Sequence, residues 1–240
     1  MGEQTKIIKN LHQDVLDKGF ITVKDMLGSD LTVVNSARVS FGKEKKEWDE
    51  RDQGLINYLA KHKHFSPFRH VVIQFHVKAP EFVMRQWYKH VVGIETTSSY
   101  YTKDHAWNEI SGRYVPVEDF YIPENWREQS EDNKQASKGN LSDDKNAEAR
   151  KLFEDHMKNT KDVYDKLLAL GTAKEQARIV LPLCQYTEVY WTASFQAIAN
   201  FIELRNKPDA QWEIHEYAKA MDEMVRELLP HTYDAWFGNK

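Results

Sequence analysis

The stretch "RHVVIQFHVKAP", residues 69–80, constrains the fold more than any other. Val71, Ile73, Phe75 and Val77 alternate with Val72, Gln74, His76 and Lys78. Alternate residues of an extended chain point to opposite sides, so this pattern predicts a strand. Upstream, "FITVKDML" and "LTVVNSARVSFG" read as further short strands or strand-to-loop segments, and "WDERDQGLINYLAKHKH" has helical spacing at Leu55, Ile56 and Leu59. Pro80 opens a helix over "PEFVMRQWYKHV", with Phe82, Val83 and Trp87 toward a core. Gln86, Lys89 and His90 then share another face, which by itself reads as a solvated one.

The remaining chain is mostly helical. A helix is expected from Ala147 to Leu170, with Leu152, Phe153, His156, Val163, Leu167 and Leu168 on one stripe and Gly171 as its stop. "KEQARIVLPL" reads as a short helix ending near Pro182. "YWTASFQAIANFIELR" reads as another, with Phe195, Ile198, Ala199 and Ile202 inward and Gln196 and Asn200 one turn apart elsewhere. "PDAQWEIHEYAKAMDEMVRELLP" is a long helix opened by Pro208 and closed by Pro230. Strands early and helices later predict an α+β fold: a small twisted, mainly antiparallel sheet with several packed helices and long C-terminal ones. The 240 residues are expected to form one domain, 1–240, with a polar surface excursion or mobile loop around 127–150.

Composition removes several classes of function. A formal net charge of −4 opposes non-specific nucleic-acid binding, which runs on positive surface. The aromatic and charged run "YYTKDHAWNEISGRY" could stack bases of a single strand, but no basic stripe accompanies it. The polar start "MGEQTKIIKN" is not the pattern of a secretory signal, and no apolar run is long enough to span a bilayer. One cysteine, Cys184, allows no intrachain disulfide. A soluble, cytoplasmic protein is the expectation.

For chemistry, the crowded histidines His62, His64, His70 and His76 come without HExxH or CxxC, so they read as surface or satisfied side chains and no metal is expected. Cys184 lies in the apolar run "IVLPLCQY", a setting that raises a thiol's pKa and makes it inert. Neither GxxxxGK[ST] nor GxGxxG is present, so phosphates would have to be held by side chains, best by the planar fork of arginine. Arg113, Arg178 and Arg205 each sit at the edge of an apolar segment. In "WNEISGRYVP", Glu109, Ser111 and Arg113 occupy every second position and would project to one side of an extended segment. Taken singly, Arg205 can be a charge matched to a helix dipole and Glu109 a turn cap.

The segments "ARVSFGK", "HFSPFRH", "IQFHVKAPEFVMRQWYKH", "NEISGRY", "ARIVLPL", "YWTASFQAIANFIELR" and "AQWEIHEYA", in that order, resemble the flavin-dependent thymidylate synthases. The resemblance implies reductive methylation of dUMP to dTMP. Methylenetetrahydrofolate would give the carbon, and FAD reduced by NADPH would give the hydride, with no cysteine nucleophile. By carry-over, Arg205 is the catalytic arginine that favours ionised uracil N3. The dUMP set is Gln86, Lys89, Glu109, Ser111, Gly112, Arg113, Arg178 and Arg205. The FAD set is His64, Ser66, Lys89, His90, Val91, Val92, Glu109, Ser194, Gln196 and Asn200. The resemblance also implies a homotetramer with sites built from more than one subunit.

The chain departs from the family pattern in several places. Lys89-His90-Val91 stands where the family has Arg-His-Arg, and the longer insertion "VGIETTSSYYTKDHAW" precedes Ser111. Ser194 and Gln196 stand where Asn and Arg are common. Lysine keeps the charge but loses the fork, so phosphate contacts would be rearranged, with Lys103 or His105 as substitutes. These departures motivate an alternative, a dUMP-binding homologue with an altered flavin site and impaired catalysis.

Overall fold

A computed structural model of the chain describes residues 11–238 apart from 92, 96–100, 104, 117 and 135, with 93–95 and 101–103 described by backbone alone. Five strands form one antiparallel sheet in the order β1 (His12–Val15), β2 (Gly19–Leu27), β3 (Val72–Pro80), β9 (Tyr186–Ser194) and β6 (His105–Glu109). Two short antiparallel pairs stand apart: β4 (Gly93–Glu95) with β5 (Tyr101–Lys103), and β7 (Arg127–Gln129) with β8 (Ser137–Asn140). The helices are α1 (Asp30–Arg38), α2 (Glu50–Lys61), α3 (Glu81–Trp87), α4 (Asp143–Ala169), α5 (Lys174–Ala177), α6 (Phe195–Arg205), α7 (Trp212–Leu228) and α8 (Pro230–Phe237). The fold is α+β, as the alternation and the late helices predict.

The alternation in β3 sets the two faces of the sheet. Ile73, Phe75 and Val77 are fully buried and register against Ala193, Trp191 and Val189 of β9. Gln74, His76 and Lys78 face the other side, where the His76 ring stacks on Tyr190 with centroids 4.8 Å apart. The α6 and α7 helices cover the apolar face. Phe201 of α6 stacks on Trp87 at 4.5 Å and meets Trp191 at 6.0 Å. Tyr217 of α7 packs its ring edge on Trp87, and its hydroxyl donates to the Lys78 carbonyl (2.7 Å). Burying Phe75 and Phe201 is worth on the order of 2–3 kcal/mol each before entropy costs. A side chain at Gly19 would run into the Tyr217 hydroxyl and the Lys78 carbonyl, so the β1–β2 turn needs glycine there.

Several local expectations are corrected. The segment "LTVVNSARVSFG" is α1 followed by a short 3-10 turn (Val39–Phe41), not a strand. Its β-branched residues suit a strand, but the Ser29 N–H donates to Thr32 Oγ1 (2.9 Å), closing the first helical turn. Asn35 then ties the helix to the Lys45 backbone in both directions (2.8 and 2.9 Å). Pro80 is the last residue of β3 and the extended cap of α3, not a helical residue. The α3 helix ends at Trp87, so Lys89 and His90 lie beyond it and do not share a helix face with Gln86. In "YWTASFQAIANFIELR" the first five residues finish β9, and α6 starts only at Phe195. The α7 helix begins at Trp212, not at Pro208, and Pro230 opens α8 directly after it.

The 127–150 stretch is not structureless. It holds the β7–β8 hairpin and the first two turns of α4, which starts one turn before Ala147. The buried residues of α4 are Met157, Thr160 and Tyr164, whereas Leu152, His156 and Val163 of the expected stripe are exposed. The ion pairs Arg150–Glu154, Lys151–Asp155, Lys161–Asp165 and Asp162–Lys166 line its outer surface at one-turn spacing. Gly171 does end the helical run, with φ +82°.

Candidate functional site

The inner face of the sheet positions the first group of candidate residues. Past the end of α3 the chain turns inward, and the His90 ring sets its edge on Phe201 (5.1 Å). Arg205, the last residue of α6, donates from Nε to His90 Nε2 (3.0 Å). That geometry requires a neutral imidazole accepting at Nε2. Burial, and then the Arg205 charge, push the His90 pKa down from 6.5 to about 4. Burial also lowers the Arg205 pKa from its ordinary value. Among the described residues the two terminal nitrogens of Arg205 take no hydrogen-bond partner, so a half-buried guanidinium presents its fork. Lys89 is exposed and Val91 half-buried beside this joint, and Val92 lies outside the described residues.

Gln86, in the last turn of α3, donates to Gln211 Oε1 (2.5 Å). Gln211 donates in turn to Glu213 Oε2 (3.0 Å). Glu213 is almost fully buried and also accepts from Arg127 Nη2 at both oxygens (2.8 and 2.9 Å). These residues line a cavity of about 500 Å³ together with Phe82, Tyr121, Trp126 and Phe153. Arg127, Gln211 and Glu213 were not found from sequence. Glu213 at the start of α7 looks like a charge suited to the helix dipole, and Arg127 sits in a stretch that reads as surface.

A second group surrounds the end of β6. Glu109 accepts from Thr187 Oγ1 (2.8 Å) and from the Trp107 indole (3.2 Å). Its carboxylate also faces Glu81, the first residue of α3, whose pKa is raised by burial and then by the Glu109 charge. The expected extended row of Glu109, Ser111 and Arg113 is corrected, because β6 ends at Glu109 and residues 112–114 form a turn. The turn still joins two of the three: Ser111 Oγ accepts from the Arg113 backbone N–H (3.3 Å) and from its Nε (3.1 Å). Gly112 is half-buried within it. Lys174 of α5 donates to the Tyr114 carbonyl (3.0 Å), which brings this turn to the segment carrying Arg178. Arg113 and Arg178 are exposed. Among the described residues, no hydrogen bond or ion pair links this group to Arg205.

The candidate flavin residues divide by exposure. His64 and Ser66 are exposed around the start of a short 3-10 helix (Ser66–His70) that packs against α6. Asn200 is exposed on α6, and Gln196 is half-buried one turn before it. Ser194 is different: it is fully buried, and its hydroxyl caps α6 by accepting from Ala197 N–H (3.3 Å). His64, Ser66, Gln196 and Asn200 therefore suit hydrogen bonding to a flavin dinucleotide, with Lys89 as a cation for its phosphates, whereas the Ser194 hydroxyl does not.

Cys184 is buried against the Met157 sulfur (3.5 Å), and burial pushes its thiol pKa up to about 11. At neutral pH it is a thiol, not a nucleophilic thiolate. Among the described residues no group of three or more His, Cys, Asp or Glu side chains is arranged to hold a metal ion. None of the described helices is long and apolar enough to cross a membrane.

The sequence profile of the family described as thymidylate synthase complementing protein matches residues 22–231. A flavin-dependent thymidylate synthase of Thermus thermophilus is 46% identical over 223 residues, 92% of this chain and 77% of that one. The enzyme of the same name from Thermosipho africanus is 41% identical, over 92% of each chain. In three dimensions the fold is similar to the UMP/dUMP methylase PolB from Streptomyces cacaoi, crystallised with 5-Br dUMP. The TM-score is 0.80 and the identity 28%, covering 94% of this chain and 97% of that one. The chain belongs to the family of flavin-dependent thymidylate synthases.

Proposed function

We propose that this protein methylates dUMP to dTMP, taking the carbon from methylenetetrahydrofolate and using FAD reduced by NADPH. The observation that carries the reading is the half-buried Arg205 guanidinium, held at Nε by a neutral His90, with its two terminal nitrogens taking no hydrogen-bond partner among the described residues. The C5 carbon of uracil is a weak nucleophile. A fixed cation beside N3 and O4 stabilises negative charge on the ring and so activates C5 without sulfur. A buried Cys184 with a raised pKa fits that route and not thiol addition. Bound flavin would supply the hydride. His64, Ser66, Lys89, His90, Val91, Gln196 and Asn200 would hold it from the α6 side.

In this reading Gln86, Lys89 and Arg205 form one half of the dUMP site, and Glu109, Ser111, Gly112, Arg113 and Arg178 form the other. Because no hydrogen bond or ion pair among the described residues joins the two halves, a second copy would supply the complement, in a homotetramer. Exposed apolar side chains on α4, at its C-terminal cap and after α5, among them Leu152, Leu170, Ile179 and Leu183, support burial against other copies.

The test is an anaerobic reaction of the purified protein with FAD, NADPH, methylenetetrahydrofolate and either dUMP or UMP, assayed for the methylated nucleotide. Product from dUMP, retained within about twofold by Cys184→Ala, is expected. Binding of dUMP with no product would favour the impaired homologue. At dUMP concentrations too low to saturate Arg113→Ala, mixing the Arg205→Ala and Arg113→Ala proteins should give more activity than the sum of the two alone if sites are shared; no gain on mixing would restrict each site to one chain.

A further inference from the structure

The bonds from Arg127 to Gln86 have a fixed direction. A carboxylate paired with a guanidinium only accepts hydrogen bonds. The Gln211 amide therefore has to turn its nitrogen toward Glu213 (3.0 Å), which leaves its oxygen facing Gln86. Gln86 then has to donate to that oxygen (2.5 Å), so its own amide nitrogen is engaged and its carbonyl oxygen points away. Reversing the Gln86 amide would set two carbonyl oxygens against each other unless Gln211 also reversed, and that would set the Gln211 oxygen against the Glu213 carboxylate. Among the described residues Gln86 Oε1 takes no hydrogen-bond partner. Two amides in series thus carry the polarity of a buried ion pair out to the wall of the cavity.

We propose that Gln211 and Glu213 are positioning residues that force Gln86 to present an acceptor, so that Gln86 reads a hydrogen-bond donor of the bound nucleotide and not its phosphate. A phosphate offers only acceptor oxygens and would be repelled by a carbonyl held in this way. The pyrimidine nucleotide proposed above offers two donors, the ring N3–H and the ribose 3′-hydroxyl. This inference rests on that reading for the ligand, but not for the amide relay itself.

The experiment uses the full chain, with Gln211→Leu and Gln86→Leu as variants. Gln211 is exposed, and its side chain makes no cap bond to α7, so its replacement leaves the fold in place. Side-chain amide NMR without ligand reads the relay. The Gln86 NH2 protons should exchange slowly in the parent protein and quickly in Gln211→Leu. Slow exchange retained in Gln211→Leu would overturn the relay.

Affinity then reads the ligand, using dUMP, its N3-methyl derivative and its 3′-deoxy derivative. One donor-deleted analogue should bind the parent about tenfold more weakly than dUMP, the usual cost of an unpaired acceptor, and the two analogues separate base from ribose. That penalty should vanish in both variants. If Gln86→Leu weakened dUMP and both analogues by the same factor, donor reading would be wrong. A relay seen by NMR in a protein that binds no dUMP would keep the relay, remove the donor-reading claim and remove the nucleotide reading.

Discussion

The two cationic regions of the molecule are built in opposite ways. Arg205 ends a helix packed on the sheet, has a defined partner in His90 and is partly desolvated. Arg113 and Arg178 lie in exposed turns, where they bond to a neighbouring hydroxyl and to a backbone carbonyl three residues away. A cation held out of water and oriented in advance does not reorganise when charge develops beside it, which is the requirement for lowering a barrier. A cation on an exposed turn can swing to meet an anion, which suits holding a phosphate. Under the proposed function, the difference would give stabilisation of the transition state to one region and capture of substrate to the other.

Four perturbations break or sharpen that contrast. The largest effect is expected from Arg127→Ala, which strands the buried Glu213 carboxylate beneath the inner region. A loss of about 3–5 kcal/mol in unfolding free energy is expected from urea melts; a loss no larger than a surface substitution gives would show that the inner region does not depend on this pair. Arg205→Lys comes next. It keeps the charge but not the fork, and single-turnover formation of product should slow by about a hundredfold to a thousandfold with dUMP affinity changed much less.

Arg113→Ala and Arg178→Ala should do the reverse, weakening dUMP by roughly tenfold or more while leaving the saturated rate near that of the parent. An equal fall in rate and affinity for all three arginines would erase the distinction. The smallest effect is a pH dependence. The His90 pKa lies below its unfolded value, so the folded state resists protonation there. Stability from this site is present above pH 6.5 and is lost as pH falls toward about 4. The melting temperature of His90→Asn should decline less across that window than that of the parent.

What could be read from the sequence followed from local periodicity. The alternation at Val71 to Lys78 gave the central strand and its inward residues, and the 3.6-residue spacing of Phe195, Ile198, Ala199 and Ile202 gave the inward face of α6. Where a boundary depended on distant contacts, local pattern failed. Nothing near Trp87 marks the end of α3, because that end is set by the turn that carries His90 onto Phe201. The valines of α1 are a different case: they look like strand residues, and the contact that overrides them is the local pair Ser29 and Thr32, which closes the first turn. In the candidate site, the resemblance to a family marked Gln86 and Arg205, but the Gln86–Gln211 bond spans 125 residues of sequence. The Arg127–Glu213 pair joins a hairpin to a helix in the same long-range way. Such pairings leave no periodic trace.

Ser194 is both the last residue of β9 and the cap of α6, so no loop separates the sheet from that helix. A helix advances about 100° per residue, and a strand reverses its side chains at each step. The ladder between β3 and β9 therefore acts as an index wheel for a group eleven residues further along. Adding or deleting a single position between Ser194 and Arg205 would leave the polypeptide with a sheet and a helix of the same kind, yet would swing the terminal guanidinium about 100° off its bearing.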